Sequence, residues 1–144
     1  MNNDTLSIFV DSDAFVAFVK KDDSNHEKVK QIFNALQDKS VTFYTSNYVF
    51  AESVTIISQR IGKDTAMQFI ESLKAKDTLF SIVWVTKEIE EKAIEIFKKQ
   101  SSKNVSLVDC SNMAIIETNN FNGIFSFDRS YITNRIHLVE ELIK

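Results

Sequence analysis

The sequence predicts an α/β protein: a three-layer α/β/α sandwich on a mostly parallel central sheet, with residues 1–144 as one domain. Three features carry that expectation. Short apolar runs of strand length alternate with stretches whose apolar residues recur at helical spacing, the mark of successive βαβ units. No stretch has the composition of an interdomain linker. Two of the apolar runs stop at an acid: Ile8-Phe9-Val10 meets Asp11, and Ile124-Phe125-Ser126-Phe127 meets Asp128. In open α/β sheets, sites lie outside the carboxyl ends of the strands.

The elements follow in order. Ser7–Val10 reads as a buried strand, and Ala14–Lys21 as a short helix with Asp13 as its N-cap. Ser24 and Glu27 have capping-box spacing ahead of a helix with Val29, Ile32, Phe33 and Leu36 on one face. Val41–Thr45 is a strand. Asn47–Ile61 is a helix with Val49, Phe50, Val54 and Ile57 inward, ended at Gly62. Thr65 and Gln68 suggest another capping box, before Phe69, Ile70 and Leu73. Phe80–Val85 is a strand. Thr86 caps a helix carrying Ile89, Ala93, Ile96 and Phe97. Ser106 and Asp109 form a third capping box, opening a helix to about Asn119. Gly123–Phe127 is a strand, and a last short strand or helix is expected near Ile136–Val139.

Composition narrows the function classes. The chain is 44% hydrophobic and 26% charged, with a formal charge of −3. It has no strongly basic face of the kind on which tight nonspecific nucleic-acid binding rests, although an enzyme meeting nucleic acid at one local site stays compatible. One cysteine, Cys110, excludes an internal disulfide and suits a reducing cytosol. No apolar run approaches the roughly 18 residues of a membrane span, and "MNNDTLSIFV" lacks the basic start of a signal peptide. A cytoplasmic protein is therefore expected.

Four acids stand out. Asp11 and Asp128 end strands. Glu52 lies among Val49, Phe50, Val54 and Ile56 in a mainly apolar helix, where a carboxylate needs a partner. Asp109 opens a helix. Held close, four carboxylates raise one another's pKa unless a cation neutralises them, and oxygen-only donors select Mg²⁺ or Mn²⁺. The structural alternatives are specific. Asp11 could cap the following helix. Asp109 is already explained by its capping box. Glu52 could pair with Arg60, and Asp128 could be a turn acid. Asp13 is divided between N-cap and site. Ser12, Ser126 and Asn112 are candidates to hold the acids by hydrogen bonds. Arg129 is a candidate phosphate contact or a solvated surface group. Cys110 reads as a small buried residue, and His26 and His137 as surface residues.

The segments "IFVDSDAFVAFV", "TSNYVFAESVTII", "SLVDCSNMAII" and "IFSFDRSY" together resemble the PIN domain, and within it the VapC-like toxins of bacterial and archaeal toxin–antitoxin pairs. The resemblance runs from Ile8 to about Tyr131. It implies a metal-dependent endoribonuclease, with Asp11, Glu52, Asp109 and Asp128 as catalytic metal ligands for Mg²⁺ or Mn²⁺. It also implies cleavage of RNA by metal-activated water, a separate antitoxin protein as partner, and a homodimer. Ser12 falls where the family places a hydroxyl residue after its first Asp, and Ser126 where it places Thr or Ser. The chain departs from the pattern at Tyr131, where the family often has Phe. Two other classes stay open. A HAD-type small phosphatase would also start with strand-Asp-x-Asp, here Asp11 and Asp13, but leaves Glu52 unexplained. A catalytically silent interaction domain on the PIN scaffold would keep the acids without turnover.

Overall fold

The computed structural model describes residues 5–143. Four strands, β1 (Leu6–Val10), β2 (Val41–Ser46), β3 (Phe80–Val83) and β4 (Gly123–Phe125), form one sheet in the order β3-β2-β1-β4. Every pairing is parallel. The helices are α1 (Ser12–Val19), α2 (His26–Gln37), α3 (Asn47–Arg60), α4 (Lys63–Lys74), α5 (Lys87–Lys98), α6 (Leu107–Asn119), α7 (Ser130–Thr133) and α8 (Val139–Leu142).

The strand order explains the layers. From β1 to β2 to β3 the chain steps one way along the sheet, and from β3 it returns past both to β4. Right-handed crossovers then put α1 to α4 over one face and α5 and α6 over the other. The helix contacts agree: α1 packs on α2 and α3, α3 on α4, and α5 on α6. The two central strands are closed off by both layers, and Ile8 and Phe9 in β1 are fully buried. Neighbouring residues of β2 serve opposite layers. Phe43 stacks on Phe33 of α2 and sits 5.7 Å from Phe80, while Tyr44 stacks on Phe121 at 4.2 Å. The fold is the predicted parallel α/β/α sandwich.

Several boundaries differ from the sequence reading, each for a local reason. The first helix starts at Ser12, and its N-cap is Asp11, which accepts from the Ser12 amide; Asp13 lies inside the first turn. Ser24 caps nothing. The turn is made by Asp23, which accepts from the Asn25 amide at 2.8 Å, and α2 starts at His26 with Asn25 as N-cap. His26 is not a plain surface residue, since its Nδ1 lies 2.7 Å from the Ala17 carbonyl and ties α2 to α1. The Thr65 box is absent because α4 begins two residues earlier, at Lys63, directly after Gly62. Gly62 has φ 146°, a conformation that favours glycine. The last two strands stop early, at Val83 and Phe125. Beyond Phe125 the backbone turns toward α1: the Phe127 amide donates to Asp13 instead of to a strand. The single turn α7 went unpredicted. At Leu138 the chain makes an isolated parallel bridge to Ile124 before α8. The Thr86 cap and the Ser106–Asp109 capping box are present as read.

Candidate active site

The carboxyl ends of the strands collect most of the buried polar residues. Asp11, Ser12, Thr45, Ser46 and Ser126 are all buried there, and Asn112 is buried on α6. Chain geometry brings them in. β1 ends at Val10, so the next residue emerges at the sheet end. The Asp11 amide donates to the Phe125 carbonyl at 3.1 Å, extending the β1–β4 ladder by one rung. The Thr45 hydroxyl donates to the Val10 carbonyl at 2.9 Å and locks β2 to the same point.

Asp11 is the centre of the constellation. Its Oδ1 accepts from the Ser12 amide at 2.8 Å and from Asn112 Nδ2 at 3.2 Å. Its Oδ2 accepts from the Tyr131 hydroxyl at 2.8 Å. That hydroxyl also lies 3.2 Å from Asp109 Oδ1 and accepts from Asn112 Nδ2 at 3.0 Å. The Asn112 orientation follows from its neighbours, because an ionised Asp11 only accepts and must face the amide nitrogen. Burial, reinforced by the neighbouring Asp13 charge, raises the Asp11 carboxyl from 3.8 to about 8, against the opposing pull of its hydrogen bonds from Tyr131 and Ser12.

The other candidates stand around this centre. Glu52, on α3, accepts from the Ser12 hydroxyl at 2.6 Å, so its partner is α1, not Arg60. Asp109 is half-buried and fills two roles: its Oδ2 closes the capping box with the Ser106 amide, and its Oδ1 faces Tyr131. Asp13 accepts from the Ser126 hydroxyl at 3.0 Å and the Phe127 amide at 2.8 Å. Its other oxygen is buried with no partner, and desolvation raises its pKa. Asp128 is exposed and accepts from the Ser130 amide at 2.9 Å. It approaches the cluster on the Asp13 side, where Ser126 also accepts from the Asp128 amide at 3.1 Å. The structure therefore joins Asp11, Asp109, Asn112 and Tyr131 directly. Glu52 is linked through Ser12, and Asp128 through Ser126 and Asp13. Cys110 is fully buried, and desolvation followed by the Asp109 charge pushes its thiol pKa up, which leaves it unsuited as a nucleophile.

Tyr131 is the residue that sequence reasoning undervalued. Its only signal was a tyrosine at a position the resemblance fills with phenylalanine. A hydroxyl costs free energy in a core unless it has partners, and Tyr131, at 0% exposure, has three.

The donors suit a hard divalent cation. They are oxygens only, one carboxylate oxygen is buried and unpartnered, and a cation beside Asp11 would favour the ionised carboxylate that burial disfavours. Among the described residues no three acidic, histidine or cysteine side chains are gathered tightly enough to cage an ion. Mg²⁺ does not ask for a cage: it commonly keeps several waters and is held by one or two carboxylates together with substrate phosphate.

Comparison with known proteins agrees with the fold. The PIN domain family model matches residues 8–135. Two curated relatives, each the 23S rRNA-specific endonuclease VapC20 from a strain of Mycobacterium tuberculosis, are 25% identical over 124 residues, 86% of this chain and 91% of theirs. The crystal structure of Mycobacterium tuberculosis VapC20, described as a Sarcin-Ricin loop cleaving toxin, superposes with a TM-score of 0.80 at 23% identity. That match covers 90% of this chain and 96% of the other. With the family model running from within β1 past β4 and including every candidate acid, this chain belongs to the PIN domain family.

Proposed function

We propose that this chain is an endoribonuclease that uses Mg²⁺ or Mn²⁺, and the toxin of a toxin–antitoxin pair. The observation that carries the reading is the buried Asp11 carboxylate, joined through Tyr131 to Asp109 at the end of a PIN-family sheet. Asp11 and Asp109 are the residues that would hold the cation, with Glu52 and Asp128 completing the acidic rim. A divalent cation held there supplies positive charge at the scissile phosphate and makes water acidic enough to act as nucleophile. The chain's own part is orientation. Ser12 and Asn112 pin one oxygen of Asp11, Tyr131 pins the other, and Ser126 fixes Asp13 beside them. RNA as substrate class rests on the ribosomal-RNA activity named for the VapC20 relatives. Membership of the PIN family displaces the phosphatase reading, whose second Asp would be Asp13; here that residue is spent on Ser126 and the Phe127 amide.

The expected result is endonucleolytic cleavage of RNA in Mg²⁺ or Mn²⁺ that EDTA abolishes. Attack by water breaks the phosphorus–O3′ bond and leaves a 5′-phosphate and a 3′-hydroxyl. End-group analysis that found 2′,3′-cyclic phosphate would mean that the ribose hydroxyl is the nucleophile, and the reading would fail.

The same reading requires an antitoxin, and the surface offers it a seat. An apolar groove of about 390 Å³ runs between α1, α2 and α4, lined by Phe15, Phe18, Phe33, Leu79 and Phe80 among others. Phe18 and Leu79 are 50% and 63% exposed. Val10 and Phe125 also line the groove, the residues immediately before Asp11 and Ser126. An antitoxin segment lying in it can carry a basic side chain to the acids and take the cation's place. Co-expression with the cognate antitoxin should give a stable complex that Leu79→Asp or Phe18→Glu disrupts. Retention of the complex by both variants, or normal growth of cells strongly expressing the chain alone, would contradict this. We further propose that the chain acts in the cytoplasm and as a homodimer, which sedimentation of the purified chain tests.

A further inference from the structure

The Tyr131 hydroxyl stands between the two acids nearest the sheet end, in a place where an apolar ring would complete the core equally well. It carries one proton and touches three polar groups. Asn112 donates to it at 3.0 Å, so its own proton is free for a carboxylate. Asp11 Oδ2 at 2.8 Å is the closer acceptor and Asp109 Oδ1 at 3.2 Å the farther. Counting lone pairs on Asp11 gives the consequence. A carboxylate has four acceptor positions. The Ser12 amide and Asn112 take two on Oδ1 and Tyr131 takes one on Oδ2. The position left over is on Oδ2, the oxygen that shares the hydroxyl with Asp109.

The base of the tyrosine is fixed as firmly as its tip. Its carbonyl accepts from the Asn134 and Ile136 amides, each at 3.0 Å. Asn134 in turn exchanges side-chain hydrogen bonds with Gln100 at 2.9 and 3.1 Å, tying the α7 turn to the end of α5. A rigid ring ending in a hydroxyl sets how far apart Asp11 and Asp109 stand and which oxygens face one another.

Resting on the nuclease reading above, we infer that Tyr131 is a positioning residue of this site, setting the Asp11–Asp109 pair in the orientation that receives the divalent cation. Phenylalanine there would keep the packing and lose the spacing. Partners that orient metal ligands are commonly worth about 10–100-fold in metal affinity.

The test is Tyr131→Phe in the full chain, with Mn²⁺ as probe. Isothermal titration calorimetry should show Mn²⁺ binding weakened about tenfold. The Mn²⁺ midpoint for RNA cleavage should move by the same factor, with the rate at saturating Mn²⁺ recovering to within about threefold of wild type. A tyrosine that only fills space would lower the melting temperature and leave the Mn²⁺ midpoint where it was; that result overturns the proposal and leaves the nuclease reading standing. Should the variant fail to fold, Gln100→Ala frees Asn134 and the α7 turn that carries Tyr131 without touching Asp11 or Asp109, and it should shift the midpoint in the same direction. An unchanged midpoint in that variant overturns the proposal as well. A wild-type chain that binds neither Mn²⁺ nor Mg²⁺ overturns both readings together.

Discussion

Asp11→Asn is expected to abolish nuclease activity and, in metal-free buffer, to raise the melting temperature. Activity should fall at least a hundredfold, since losing even the partners of a metal ligand costs about 10–100-fold. The stability gain follows from linkage. Burial and the neighbouring acids hold the folded-state pKa of Asp11 at about 8, against an ordinary value of 3.8. Between those two values the folded protein keeps a proton that the unfolded chain has released. The wild type therefore loses stability as pH rises through that window, by up to about 1.4 kcal/mol per pH unit. Below the window both states are protonated and above it both are ionised, so the dependence flattens at either end. Asparagine carries no charge and is as good an N-cap as aspartate. The melting difference between mutant and wild type in EDTA should thus be small near pH 4 and grow toward pH 8. Added Mg²⁺ should stabilise wild type more than mutant. A mutant that melts lower than wild type at pH 7.5 in EDTA, yet responds to Mg²⁺ as wild type does, would make Asp11 a purely structural cap.

Gly123→Ala is expected to cost on the order of 1–3 kcal/mol, the usual cost of forcing an atom into a packed site. A Cβ built on Gly123 would come within 2.7 Å of the His137 carbonyl oxygen and 2.9 Å of Leu142 Cδ1. The first is backbone, and it already accepts from the Ile124 amide at 2.9 Å. The segment from His137 to Leu138 must move away from β4, breaking that bond and the bridge beside it. Strand β4 leads directly into Ser126 and the Phe127 amide, the two donors to Asp13, so activity should fall along with stability. Chemical denaturation with a parallel cleavage assay checks both. Gly62 is the control, because nothing lies within 4 Å of its would-be Cβ. Gly62→Ala should cost only backbone strain at φ 146° and leave cleavage per folded molecule unchanged.

The parts legible in the sequence were those with local causes. The buried end of β1, Ile8-Phe9-Val10, reads as an unbroken apolar run. Ser106 and Asp109 announce α6 because both halves of the capping box are within four residues of each other. Boundaries set from a distance were lost. Asp13 had the right residue type for an N-cap, yet Ser126 and the Phe127 amide, more than a hundred residues away, claim its side chain. Ser24 and Thr65 had cap spacing and no role, because Asp23 and Gly62 had already fixed the chain's path. The acids were readable because two follow apolar runs of strand length, one interrupts an apolar helix and one opens a helix. What joins them was not, because the Tyr131–Asp11 bond spans 120 residues and leaves no local pattern.

That separation also has a consequence for the order in which the molecule comes into being. β1 is made before both of its neighbours in the sheet, and those two arrive far apart in time. β2 follows after one helical crossover, whereas the β1–β4 ladder pairs Ile8 with Gly123. Contacts so remote in sequence carry a large loop-closure cost and slow folding. A growing chain that has reached only α6 can hold β1, β2 and β3 together, with Asp11 still lacking Tyr131 and Asp13 lacking Ser126. An acidic centre drawn from segments more than a hundred residues apart is therefore complete only after β4 and α7 have been made.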